Sequence, residues 1–240
     1  MKLEKKRDVE SDGFAIVEGV YSDTEVERLC NLVERSTLGV ESSTFRKSKD
    51  LFAIRQFHKE IPEAIDAVFN KNLKNIIKEN FGEGYFITKS IYFDKPEKSN
   101  WFVAYHQDLT ISVNKKVEVP GYVNWTVKHD QYAVHPPEEI LENNFTVRIH
   151  LDKTTSENGA LKVIAKSHLK GIRRVETLDK NDETTCEVKK GGIMIMKPLL
   201  FHASNKTTNN ARRRVIHIEF SRQELPEELQ WSERLDLVAE

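Results

Sequence analysis

Phe145-Thr146-Val147-Arg148-Ile149-His150-Leu151 alternates apolar and polar side chains from Thr146 onward. Successive strand residues point to opposite faces, so Val147, Ile149 and Leu151 form one apolar face, and Thr146, Arg148 and His150 share the other. Runs of similar texture recur after residue 84: Tyr85–Phe93, Trp101–His106, Leu161–Ile164, Thr185–Val188, Ile193–Met196 and Val215–Phe220. The stretches KPEKSN, TSENG, KKGG and NKTTNN between them have turn compositions. The first third reads differently. Gly13–Val20 is a strand pattern, and Ser22-Asp23-Thr24-Glu25 is a capping-box sequence before Val26, Leu29, Cys30 and Val33 at helical spacing. Pro62 opens a second helix through Ile65, Val68, Phe69, Leu73, Ile76 and Ile77, which Gly82 and Gly84 stop. Helices first and many strands after predict an α+β fold built on a β-sandwich or barrel.

The bulk properties narrow the function. With 37 basic against 38 acidic residues the net charge is −1, and no basic stripe with interleaved aromatics is present, so no nucleic-acid partner is expected. No apolar run approaches the roughly 18 residues of a membrane span. The first residues, MKLEKKRDVESDG, lack the apolar centre of a secretory signal, and Cys30 and Cys186 have no CxxC or metal spacing. A cytoplasmic protein is the expectation. Without repeats, low-complexity tracts or a Gly/Ser linker, residues 1–240 are expected to form a single domain. Residues 109–144 make a connection too long for a hairpin, and a lid over a site is the expected use of such a segment.

Three short pieces carry chemistry. His106 and Asp108 stand two apart at the end of a strand, so imidazole and carboxylate share a face and can reach one ion. An HxD triplet is common and alone decides nothing. His202, in Leu199-Leu200-Phe201-His202-Ala203-Ser204, follows a buried-looking strand. Two histidines and one carboxylate are the donor set of a facial triad, which leaves open positions on Fe(II). Arg212-Arg213-Arg214 leads into Val215–Phe220, and alternation turns neighbouring arginines to opposite faces. An inward arginine is a bidentate clamp for a carboxylate.

Together these residues resemble the phytanoyl-CoA dioxygenase-like branch of the Fe(II)/2-oxoglutarate oxygenases. GFAIVEGVYSDTEVERL, YHQD, HLDKTTSENGALKVIAKSHLKG, GGIMIMKPLLFHAS and ARRRVIHIEF carry the resemblance across most of residues 13–220. It implies a double-stranded β-helix (a cupin-like jelly roll) with flanking N-terminal helices. It also implies that His106, Asp108 and His202 bind Fe(II) and form the catalytic centre. Arg213, 11 positions after His202, and Ser204, two after it, would hold the distal carboxylate of 2-oxoglutarate. With O₂, such an enzyme hydroxylates or desaturates a small metabolite and releases succinate and CO₂. The carboxylate at Asp108 favours those outcomes over halogenation, for which related enzymes carry a small residue there. The chain departs from the branch at Gly191-Gly192, where Gly-Asp is frequent, and in the length of the segment after Asp108.

The substrate is less defined by the resemblance. Trp125, Lys128 and Tyr132 of the long connection are the expected substrate-facing residues. Arg148 falls at a pocket-lining position of the branch. An unpaired buried cation is costly, so Arg148 points to a substrate with an anionic group. Two other readings compete: a cupin-like metal-dependent enzyme that does not use 2-oxoglutarate, and a non-catalytic metal-binding scaffold or sensor. Succinate formation separates both from an oxygenase.

Overall fold

The computed structural model describes residues 8–48, 52–128 and 131–237. A helical turn, α1 (Val9–Asp12), precedes β1 (Phe14–Val17) and α2 (Asp23–Thr37). The capping box forms: the Glu25 amide donates to Ser22 Oγ at 3.3 Å and the Ser22 amide donates to the Glu25 carboxylate at 2.7 Å. Val26, Leu29 and Val33 then fall on one buried face. Two short antiparallel strands, β2 (Phe45–Lys47) and β3 (Phe52–Arg55), and a turn of helix, α3 (Phe57–Glu60), come next. The second helix differs from expectation. It is broken into α4 (Ile65–Val68) and α5 (Lys71–Phe81). Asn70 causes the break, because its Oδ1 accepts the Leu73 amide at 2.9 Å as the cap of α5 while its Nδ2 donates to the Val20 carbonyl at 3.0 Å.

The rest is mainly strands: β4 (Phe86–Lys95), β5 (Val103–His106), β6 (Ile111–Val113), β7 (Val123–Lys128), β8 (Gln131–His135), a helix α6 (Glu138–Asn143), β9 (Phe145–His150), β10 (Leu161–Ile164), β11 (Glu183–Cys186), β12 (Ile193–Met196), β13 (His202–Ser204), β14 (Arg213–Ser221) and β15 (Leu235–Asp236). An eight-stranded antiparallel sheet runs β1-β12-β9-β14-β4-β3-β2, with β15 also on β4. A four-stranded sheet, β11-β10-β13-β5, faces it.

The central strands of the large sheet, β4, β9, β12 and β14, are covered on both sides, so their alternation separates two interiors. Val147, Ile149, Ile216, Ile218 and Phe220 point to the helices and pack with Leu29, Leu73 and Ile76. The opposite residues point to the small sheet. Phe14, Met194 and Met196 there meet Leu161, Val163 and Leu200 in an apolar plug. Beyond that plug the space between the sheets is polar. The tight approach of the β12 edge depends on Gly191, at φ +77°, where a Cβ would lie 2.3 Å from the Tyr21 carbonyl oxygen.

Residues 109–144 are not an open loop. They fold into a three-stranded sheet, β6-β8-β7, followed by α6. Ile111, Val113, Val134, Ile140 and Leu141 bury themselves against Phe86, Leu199, Leu229 and Trp231. No helix among the described residues is long and apolar enough to cross a membrane.

Phe145 sits between two rings, stacked on Phe81 at 3.7 Å and on Phe220 at 4.8 Å between centroids. It is the joint between α5 and the middle of the large sheet. Phe145→Ala should therefore lower the unfolding free energy by roughly 3–5 kcal/mol, the usual cost of emptying a buried aromatic site. Urea denaturation should show this as a lower midpoint at an unchanged slope.

Candidate active site

The polar space between the sheets is a cavity of about 260 Å³. β5 and β13 run side by side there, with His106 directly opposite His202. Their imidazole centroids are 4.2 Å apart. Asp108 lies just past the end of β5, where its amide donates to the Pro198 carbonyl at 2.9 Å. That bond turns the carboxylate back, to 3.7 Å from His106 Nε2 and 3.8 Å from His202 Nε2.

The ring orientations are fixed by the backbone. His106 Nδ1 lies 2.9 Å from the Ala104 carbonyl, and His202 Nδ1 lies 2.9 Å from the Leu200 carbonyl. Only a protonated Nδ1 can donate to a carbonyl, so Nε2 of each ring is left as a lone pair aimed at the other ligand. The three candidate ligand atoms fall within 4.8 Å of one another. Asp108 Oδ2 is buried with no hydrogen-bond partner. Burial alone would raise the Asp108 carboxyl, but the surrounding side chains of His202, His217, Lys89 and His106 hold it below the usual carboxylate range. Burial pushes His202 down to about 4, so its ring is neutral. Two lone pairs and a carboxylate converging without a donor repel one another unless a cation sits between them. The cluster fits a metal ion, and its two-nitrogen, one-oxygen composition suits Fe(II).

Gln107, between the two front ligands, escaped sequence reasoning. Its Nε2 donates to the Leu199 and Gly171 carbonyls at 2.6 and 2.9 Å, and its Oε1 accepts the Arg173 amide at 3.0 Å. The Ser167 hydroxyl accepts the Phe201 amide at 2.9 Å. The SHLKG stretch therefore braces the turn that delivers His202. The parity of YHQD was the available signal, because a residue between two inward ligands must point the other way.

The three arginines separate as alternation requires. Arg212 pairs with Asp94, and Arg214 pairs with Asp152 at 2.8 Å, both outside the cavity. Arg213 lines the cavity, as does Ser204. It is buried, donates to the Gly159 carbonyl, and has an unpartnered Nε. A Cβ on Gly159, at φ +87°, would lie 2.8 Å from the Asn205 carbonyl oxygen, so the NGAL turn favours glycine where it presents that carbonyl. Burial, with Arg148 nearby, pushes Arg213 down to about 9. Burial, with Arg213 nearby, pushes Lys95 down to about 7.

Arg148 also enters the cavity, only 8% exposed. It donates to His217 Nδ1 at 2.9 Å, His217 Nε2 faces Glu219 at 3.2 Å, and Glu219 accepts from Lys89 at 2.8 Å. The expected residues of the long connection are not brought here. Trp125 and Tyr132 pack against the core under the three-stranded sheet, and no described residue of 109–144 lines the cavity. The reason is that β6, β7 and β8 pair with one another and spend their apolar face on Phe86, Leu199 and Trp231. The Lys128 side chain lies outside the described residues. Two unanticipated arginines, Arg46 of β2 and Arg55 of β3, line the cavity instead.

The sequence matches the family described as Phytanoyl-CoA dioxygenase (PhyH) over residues 9–215. No curated protein matches it. The fold is shared with solved structures of low identity. The S. alaskensis protein EctD, solved with 2-oxoglutarate and 5-hydroxyectoine, has a TM-score of 0.67 at 17% identity, covering 89% of this chain and 73% of that one. AviO1 from Streptomyces viridochromogenes Tue57 gives 0.65 at 18%, covering 94% and 98%. SnoK, a non-heme alpha ketoglutarate dependent carbocyclase from nogalamycin biosynthesis, gives 0.64 at 16%, covering 91% and 84%. The architecture is the expected cupin-like double-stranded β-helix with helices on one face.

Replacing His202 or Asp108 by Ala should abolish stoichiometric Fe(II) binding, read by metal analysis of anaerobically loaded protein, with little change in melting temperature. Full iron content in the His202→Ala protein would remove that residue from the ligand set.

Proposed function

This chain belongs to the phytanoyl-CoA dioxygenase family of iron- and 2-oxoglutarate-dependent oxygenases, and on that premise we propose how its own residues divide the work. His106, Asp108 and His202 hold Fe(II). Arg213 and Ser204 hold the distal carboxylate of 2-oxoglutarate. The substrate is a small molecule that is hydroxylated or desaturated as succinate and CO₂ are released. The observation that carries this reading is one cavity holding both the converging ligand cluster and a buried arginine with no acidic partner among the described residues.

Iron, 2-oxoglutarate and O₂ supply the oxidising power when bound; the chain supplies placement. Arg213 is fixed through the Gly159 carbonyl, so its guanidinium meets an incoming carboxylate with little rotamer freedom left to lose. The neutral His202 imidazole offers its lone pair at once, and Asp108 stays ionised at any physiological pH. Ile91, Phe93 and Trp101 line part of the cavity and shield it from bulk water. The Lys89–Glu219–His217 chain pairs its own charges beside the ligands, and its His217 end accepts one hydrogen bond from Arg148. A cupin-like enzyme that did not use 2-oxoglutarate would have no need of Arg213.

The purified enzyme with Fe(II), 2-oxoglutarate and O₂ should release succinate slowly without substrate and faster with it. Losing a buried charge-assisted partner costs on the order of 2–5 kcal/mol. Arg213→Gln should therefore raise the 2-oxoglutarate KM by tens-fold or more. Arg212→Gln, whose side chain serves Asp94 outside the cavity, should leave that KM near wild type. An unchanged KM in Arg213→Gln would sink the clamp assignment.

A further inference from the structure

Strand register lays one row of side chains across the cavity side of the large sheet. Arg55 of β3 is opposite Ile91 of β4, Ile91 is opposite His217 of β14, and His217 is opposite Arg148 of β9. Directly paired residues share a face, so an arginine stands at each end of a row about 14 Å wide, three strand spacings. Arg46 on β2 joins the Arg55 end through its pairing with Ala53. The two ends differ. Arg148 lies within electrostatic reach of Asp108, while Arg55 responds to Arg46 and, more weakly, to Glu233 on the other side of the sheet. Glu233 is already engaged there by His58 and Ser90.

The charges around the cavity do not balance. Five cations line it, Arg46, Arg55, Lys89, Arg148 and Arg213, against two carboxylates, Asp108 and Glu219. Glu219 is taken by Lys89, and Asp108 belongs to the iron ligands. Iron and 2-oxoglutarate carry opposite double charges, and Arg213 is assigned to the co-substrate. Arg46, Arg55 and Arg148 remain with no described acid. Arg148 has only a neutral imidazole for a partner and a buried, unpartnered Nε. Arg46 and Arg55 have no side-chain hydrogen bond or ion pair with any described residue. Arg46 is exposed and could rest in water, but Arg55 is largely sheltered, and burial lowers its pKa. Guanidinium forks match planar carboxylate and phosphate edges better than any other common side chain.

We infer that Arg55 and Arg46 form an oxyanion subsite at the outer end of the cavity, and that the substrate is a small molecule anchored there by a carboxylate or phosphate group. Its middle crosses the apolar floor of Ile91 and Phe93. The reacting carbon lies several bonds from the anion, at the Arg148 end beside the iron ligands. This rests on the oxygenase reading for the charge balance of the cavity and for which end of the substrate reacts.

The test is a calorimetric titration of the anaerobic Fe(II)- and 2-oxoglutarate-saturated enzyme with inorganic phosphate and, separately, acetate, at constant ionic strength. Wild type should bind at least one of the two saturably, and the tighter one identifies the anchoring group. Arg55→Met should weaken that binding ten-fold or more, and Arg46→Met several-fold. Lys47→Met, on the opposite face of β2, should not change it. Arg46 is exposed, so its variant stays informative even if Arg55→Met melts early. The inference is overturned by absence of saturable binding, by binding that neither arginine variant weakens, or by an affinity that falls as 2-oxoglutarate rises, which would put the anion on Arg213. A failed oxygenase reading shows differently, as absence of 2-oxoglutarate binding and succinate before any anion is added.

Discussion

Alternate residues of β14 meet opposite requirements. Ile216, Ile218 and Phe220 must stay dry against the helices, while Arg213, His217 and Glu219 must remain polar within a few ångströms of them, across one layer of backbone. Only a strand covered on both faces and paired on both edges can hold that separation, and β14 is held by β4 on one side and β9 on the other. A slip of one residue would put Arg213 among the helices and Ile216 beside the candidate metal ligands. The apolar face of this strand is therefore what aims the polar one. The flanking charges reinforce the register, because Arg212 and Arg214 each have an acid to meet, Asp94 and Asp152, only when Arg213 points inward.

What the sequence disclosed follows from the same physics. Alternation in 145–151 and 216–220 is strict because one buried face is apolar and the other polar, so those strands could be read directly, while the choice of Arg213 among its neighbours came from its spacing after His202 in the family resemblance. The capping box and the two-apart His/Asp pair are local patterns and were equally legible. Features that depend on tertiary pairing were not. β2 and β3 are short and only partly buried, and nothing in Phe45–Lys47 shows that β3 will dock on β4 and turn Arg55 into the cavity. The break at Asn70 is invisible to periodicity, since the apolar spacing continues through it while its amide is drawn off to Val20. The strands of 109–144 carry polar residues such as Asn124, Thr126 and Gln131 and pair mainly among themselves, so composition suggested a loop.

Cation excess governs the electrostatics of the cavity. Burial lowers the proton affinity of Arg148, Arg213 and Lys95 alike, the sign expected when cations are desolvated without matching anions. The folded protein bears that cost in the absence of ligand, and anionic ligands recover it on binding. Selectivity follows from the same imbalance. A neutral molecule of equal size would leave the arginines unpaired after displacing the water that solvates them, whereas an anion would relieve them. The Lys89–Glu219–His217 chain keeps this preference from spreading, because it neutralises the part of the wall nearest the ligands and leaves the excess at the two arginine ends.

The three-stranded sheet after Asp108 matters to the site although none of its described residues lines the cavity. Leu109 follows Asp108 directly, and with Ile111 it belongs to the same apolar cluster as Leu199, three residues before His202. Asp108 is thus held from behind by β5 and from ahead by a buried hydrophobic anchor, and the segment carrying His202 is held by that anchor too. Gln107 adds a polar tie between the same two segments through the Leu199 carbonyl. A metal site assembled from the end of β5 and the start of β13 would need such a common support, because each candidate ligand sits at the end of an element, where backbone freedom is greatest. The three strands after Asp108 are a physical route to that rigidity: they close a small apolar core with Leu109 and Leu199, while β2 and β3 contribute arginines to the lining of the cavity.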